Sequence, residues 1–133
     1  MHNEHGLKKQ ERLCSKKAID TLFVGSDSKS LSAYPIRAVF RYTEEAEVRI
    51  LVSVSKKRFK HAVDRNRIKR QIREAYRLNK AIVNNTAEAT QGGIDIAFIW
   101  LTNKHHKSEL VTSKMITILK KVAQSRLSNE VTT

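Results

Sequence analysis

Val52-Ser53-Val54-Ser55-Lys56-Lys57 leads through Arg58-Phe59-Lys60-His61-Ala62-Val63 into Asp64-Arg65-Asn66-Arg67-Ile68-Lys69-Arg70-Gln71-Ile72-Arg73-Glu74-Ala75-Tyr76. Two periodicities meet here. Up to Ser55 the chain alternates, with Val48, Ile50, Val52 and Val54 on one face and Arg49, Leu51, Ser53 and Ser55 on the other, which predicts a strand. After Asp64 the apolar positions are Ile68, Ile72, Ala75 and Tyr76, a stripe at helical spacing. Asp64 reads as the cap of a helix running to about Asn79 or beyond.

The same stretch holds most of the charge. Residues 56–80 contain 11 Lys and Arg against Asp64 and Glu74, so +9 of the chain's net +13 comes from this one segment. With the stripe turned to a sheet, Lys69, Arg70, Arg73 and Arg77 spread over the opposite half of the helix. Arg67 projects on the other flank, and Arg65 lies near the stripe's border. A merely solvated face usually alternates signs to gain i,i+4 pairs. Here Arg65–Lys69, Lys69–Arg73 and Arg73–Arg77 are like-charged at that spacing, each costing a few tenths of a kcal/mol on an isolated helix. A polyanion relieves that repulsion, and nucleic acid is the natural one. Arginine forks suit phosphate oxygens, guanine edges and unpaired bases.

Toward the N-terminus, Tyr34 to Tyr42 reads as a strand with Tyr34, Ile36, Ala38, Phe40 and Tyr42 on one side and Arg37 and Arg41 on the other. Glu44 to Glu47 forms the turn into the next strand. Ser15 is placed to cap a short helix from Lys16 to about Val24, with Ile19, Leu22 and Phe23 on one face. Toward the C-terminus, residues 84–93 read as a polar loop closed by Gly92-Gly93. Ile94 to Leu101 is a nearly continuous apolar run, the mark of a strand buried on both faces. Ser108 caps a last helix to about Leu127, with Val111, Met115, Ile118, Leu119 and Val122 inward. The expectation is a single α+β domain over residues 1–133, a two-layer α/β sandwich with helices on one side of a sheet, an ordered core of about 12–127 and flexible termini.

The rest of the composition excludes other classes. No apolar run reaches the roughly 18–20 residues of a membrane span. The opening residues do not resemble a signal peptide. One cysteine, Cys14, cannot form an internal disulfide, and cytoplasm is the expected compartment. Cys14 and the five histidines show no zinc spacing, so no metal or cofactor bound by the protein is expected.

The stretch Arg65-Asn66-Arg67 with its basic helix, preceded by Val52-Ser53-Val54-Ser55-Lys56-Lys57, closely resembles the bacterial ribonuclease P protein family. Arg12-Leu13 before a short helix ending in Phe23, and Tyr34 opening the next strand, extend the resemblance to about Arg12–Leu127. It implies an α-β-β-β-α-β-α order, with a short extra strand near Ser28–Leu31 or a split in 34–42, and a left-handed β-α-β crossover. It implies that the protein is a non-catalytic subunit. The catalytic RNA subunit, using Mg2+ in the holoenzyme, removes the 5′ leader of precursor tRNA. The partners are therefore that RNA and precursor tRNA, with no membrane and no obligate protein partner. By the resemblance Arg65, Asn66, Arg67, Lys69, Arg70 and Arg73 contact the RNA subunit. Phe23, Tyr34, Lys56 and Lys57 line a cleft for the leader. No residue is catalytic. Core packing is the competing reading for both rings. Two departures stand out: Ile19 replaces a frequent aromatic, and Arg58-Phe59-Lys60-His61 is bulkier than the family's usual turn. The competing functions are a ribosomal or assembly RNA-binding protein, a protein-only nuclease, and a DNA regulator.

Overall fold

The computed structural model describes residues 9–45 and 47–132. After a 3-10 turn at Lys9–Glu11, the elements are α1 (Lys16–Val24), β1 (Lys29–Ala33), β2 (Ile36–Thr43), β3 (Val48–Ser53), α2 (Ala62–Asn79), α3 (Ala81–Thr90), β4 (Gly93–Trp100) and α4 (Ser108–Thr132). The strands form one sheet in the order β1-β2-β4-β3. β1 and β4 both pair antiparallel with β2, while β3 pairs parallel with β4. A parallel neighbour needs a crossover, and α2 and α3 supply it on one face of the sheet.

Alternation in the strands decides what each face packs. Ile36, Ala38 and Phe40 of β2 and Ile94, Ile96, Phe98 and Trp100 of β4 point to the main core. There they meet Ile68, Ile72 and Tyr76 of α2 and Met115, Ile118, Leu119 and Val122 of α4. The intervening residues Val39 and Ala97 point the other way and are buried under Leu13 and Leu22. So α2, α3 and α4 form the second layer of the expected sandwich, but α1 lies on the opposite face. The unbroken apolar run in β4 has this cause: it is covered from both sides.

Five local readings change. β1, only a suggestion in the sequence, exists because Ser30, Leu31 and Ser32 pair in register with Val39, Ala38 and Arg37. Tyr34 is not in a strand but in the tight turn that follows β1. The expected loop at 84–93 is mostly helix α3, since Val83, Thr86 and Ala87 bury one side. That helix stops where Gln91 turns left-handed at φ 54° and its N–H reaches the last carbonyls. α2 starts a turn earlier than expected, with His61 at the cap position and no side-chain cap bond. Asp64 sits inside the first turn, where a negative charge favours the helix dipole, and its carboxylate lies 3.3 Å from His105 Nε2. α4 continues to Thr132, past the expected end near Leu127. Flexibility is expected up to about residue 12, but residues 9–11 form the 3-10 turn and Arg12 bridges Ile50, while residues 1–8 lie outside the described residues.

Candidate nucleic-acid interfaces

α2 turns Ile68, Ile72, Ala75 and Tyr76 into the core, as the stripe predicts. At about 100° per residue this puts Lys69 and Arg73 on one flank, Asn66, Arg70 and Arg77 outward, and Arg67 on the other flank. The flanks have different neighbours. Arg73 borders a small hollow beside β3, whereas Arg67 and Gln71 border one beside His105 to Glu109. Asn66, Arg67, Arg70 and Arg73 are exposed and Lys69 is half-buried. None of the four cations among them has an ion-pair partner among the described residues.

The structure divides the cationic run. Arg65 donates from Nη1 to the carbonyls of Phe59 at 2.9 Å and Lys60 at 2.8 Å. It closes the turn between β3 and α2, so the structure does not bring it to the outward face with the other five candidates. Arg77 is held by Glu74 in a two-pronged ion pair, and Lys80 by Glu11 at 2.7 Å. Of the three like-charged pairs read from spacing, Arg73–Arg77 is relieved by Glu74, while Arg65–Lys69 and Lys69–Arg73 keep two cations without a carboxylate partner among the described residues. Repulsion along α2 is thus smaller than the sequence suggests.

The leader-cleft candidates fall into two groups. Leu22 anchors α1 on the sheet, and Ile19 packs there with Leu51 and Ile99. Phe23, one turn on from Ile19 along the same flank, is 45% exposed. The register places Ser32, Arg37, Ile99 and Ser53 in one row across the same sheet face. Arg37 is exposed. Lys56 and Lys57, both exposed, follow β3 at that end. Tyr34 is 59% exposed. Its ring meets His106 edge-on at 6.2 Å, and His106 in turn meets Trp100 at 5.8 Å. Trp100 belongs to the helix-covered face, so Tyr34 stands apart from Phe23. Core packing is excluded for both rings by their exposure. Arg37 is the residue the motif reading missed; its place opposite the inward residues of β2 was the available signal.

The other flank of α1 overlies a groove of about 650 Å³ lined by Lys17, Thr21, Arg41, Arg49 and Asp95, among others. Its charges are largely matched. Buried Asp95 accepts from Arg49 Nε at 3.1 Å and Nη2 at 3.2 Å, and Arg41 pairs with Asp27. Burial pushes the Tyr76 and Tyr42 hydroxyls above the ordinary tyrosine range, with the Glu11 charge adding to the effect at Tyr76. Among the described residues no three His, Cys, Asp or Glu side chains gather as a metal would require, and no helix is long and apolar enough to cross a membrane.

Residues 7–123 match the ribonuclease P family. A protein from Porphyromonas gingivalis called the ribonuclease P protein component is 41% identical over 132 residues, spanning 94% of this chain and 95% of its own. The chain belongs to the ribonuclease P protein family. A second relative of the same name, from Idiomarina loihiensis, is 41% identical over 80 residues, 60% of this chain and 63% of its own. The solved ribonuclease P protein of Thermotoga maritima superposes with a TM-score of 0.68 at 26% identity, covering 84% of this chain and 96% of that one. The Staphylococcus aureus ribonuclease P protein shares the fold, with a TM-score of 0.68 at 23% identity over 84% and 94% of the two chains. The chain is thus an RNA-binding protein component of ribonuclease P, a ribonucleoprotein endoribonuclease of tRNA processing, and partners the ribonuclease P RNA and its substrate. The ribosomal reading is not favoured.

Proposed function

We propose that this ribonuclease P protein supplies no catalytic group and works in the cytoplasm as an RNA-positioning subunit. The RNA carries the cleavage chemistry with its Mg2+ ions. The outward face of α2, with Asn66, Arg67, Lys69, Arg70 and Arg73, seats on the RNA subunit. Arg65 shapes the preceding turn and so sets the angle at which α2 meets it. The single observation that carries this reading is the set of four outward and flanking cations on α2, Arg67, Lys69, Arg70 and Arg73, without ion-pair partners among the described residues in a chain of net charge +13. Cations left unpaired on a folded surface gain most from phosphates, through released counterions and charge-assisted hydrogen bonds.

The precursor's single-stranded leader lies across the open sheet face beside α1. Phe23 offers a ring for stacking, and Arg37, Lys56 and Lys57 meet phosphates. Mature tRNA has no strand to place there, so the protein favours precursor binding. Reconstitution tests the whole reading: protein, RNA subunit and both together are assayed on precursor tRNA in Mg2+. Cleavage is expected only where the RNA is present, with the protein lowering the precursor concentration needed. Robust cleavage by RNA-free protein would overturn it.

A further inference from the structure

Arg12 has no part in the two surfaces described above, yet the fold holds its backbone firmly. Leu13 is buried, and its N–H donates to the Ile50 carbonyl at 2.9 Å. Arg12 bridges Ile50 as a parallel β partner, and Glu11 ties the segment to Lys80 of the α2–α3 junction. This lays residues 11–13 along β3, the outer strand of the sheet. Covering an exposed strand edge is sufficient reason for the backbone contact. It does not account for the side chain, which is exposed.

That side chain borders a hollow of about 180 Å³, and Arg73 of α2 borders the same hollow. The remaining lining is Leu13, Cys14 and residues 50–52 of β3, with no carboxylate. Neither guanidinium has an ion-pair partner among the described residues. Two like charges beside a largely apolar lining are relieved by an anion, and two guanidinium forks fit the oxygens of one phosphate. Arg73 shares its flank of α2 with Lys69, so the hollow continues the cationic surface instead of standing alone.

We propose that Arg12 and Arg73 jointly hold one backbone phosphate of the ribonuclease P RNA, which makes the N-terminal segment part of the RNA-subunit interface. The inference rests on the proposed seating of α2 on that RNA. Cys14, the chain's one cysteine, is exposed and lines the same hollow, which gives a readout independent of cleavage. Alkylation of Cys14 by iodoacetamide is measured in free protein, in protein saturated with RNA subunit, and in inorganic phosphate. The RNA is expected to slow the reaction at least about tenfold, and phosphate at the same phosphate concentration to leave it unchanged. Arg12→Ala is expected to weaken RNA binding about tenfold and make the log–log salt slope shallower, by less than the about 0.9 of a whole phosphate because Arg73 still meets it, with an unchanged thermal transition. Free-rate alkylation in the saturated complex, or a wild-type slope in Arg12→Ala, overturns the proposal. Arg70→Ala is the control. A shallower slope in Arg70→Ala but not in Arg12→Ala removes this phosphate site alone, while no change in either removes the seating of α2 as well.

Discussion

Arg65→Ala and Arg70→Ala remove the same charge from one helix, and the structure predicts different results for them. Arg65 is half-buried and gives two hydrogen bonds to carbonyls, at 2.9 and 2.8 Å. A hydrogen bond from a charged donor contributes about 1.5–3 kcal/mol, and partial exposure brings each nearer 1. Arg65→Ala therefore costs about 2 kcal/mol, or about 6–10 °C in Tm for a domain of this size. The outward cationic surface is left in place, so the salt slope of RNA binding stays at the wild-type value. Arg70 is exposed and has no partner to lose among the described residues, so Arg70→Ala leaves Tm within about 1 °C. It removes one phosphate contact and makes the slope shallower by about 0.9. Calorimetry and filter binding across a salt series measure both quantities. The reverse outcome, an unchanged Tm with a shallower slope in Arg65→Ala, would refute the division of the Arg-Asn-Arg motif into a turn-closing residue and an interface residue.

Other outcomes follow from the same geometry. Asp95→Ala removes the buried partner of Arg49, which keeps Glu45 at 3.2 Å, and is expected to cost about 1–3 kcal/mol. Pairing it with Arg49→Met recovers part of that loss in urea titrations, and an equal loss in both variants would contradict the coupling. Phe23→Ala and Lys57→Ala holoenzymes are expected to lose affinity for precursor tRNA by about tenfold each, with mature tRNA hardly affected. Equal weakening of both ligands would assign these residues to assembly. Tyr34→Ala, by its place against His106, is expected to leave the precursor preference intact in the same binding assay.

Much of the fold was legible where one periodicity governed a long stretch. The α2 stripe, the alternation in β3 and the inward face of α4 each follow from burial against a single layer, and β2 alternates except around Val39, which is buried on the other face. β4 was legible for the opposite reason, because burial on both faces erases alternation. β1 and α3 were not. Lys29–Ala33 has little apolar content and is a strand only through its partner β2. In Ala81–Thr90, the Asn and Thr residues are poor helix formers, and packing of Val83, Thr86 and Ala87 overrides that propensity. The functional surface was legible as charge but not as partnership. Spacing alone sets Arg65 near the stripe's border and makes Arg70 and Arg77 equivalent, while the fold gives Arg65 two carbonyls, Arg77 a carboxylate and Arg70 neither among the described residues. Arg12 and Arg73 are 61 positions apart in sequence, and only the docking of residues 11–13 on β3 brings them to one hollow.

The salt dependence of RNA-subunit binding by the wild-type protein tests the central claim most directly. With roughly 5–8 phosphates neutralised, log K against log salt concentration is expected to fall with a slope on the order of −4 to −6. In the Arg67→Ala/Arg70→Ala double variant it becomes shallower by about 2, with the fold intact by circular dichroism. A wild-type slope near zero, or a double variant that binds with the wild-type slope, would show that the outward face of α2 is not where this protein meets its RNA.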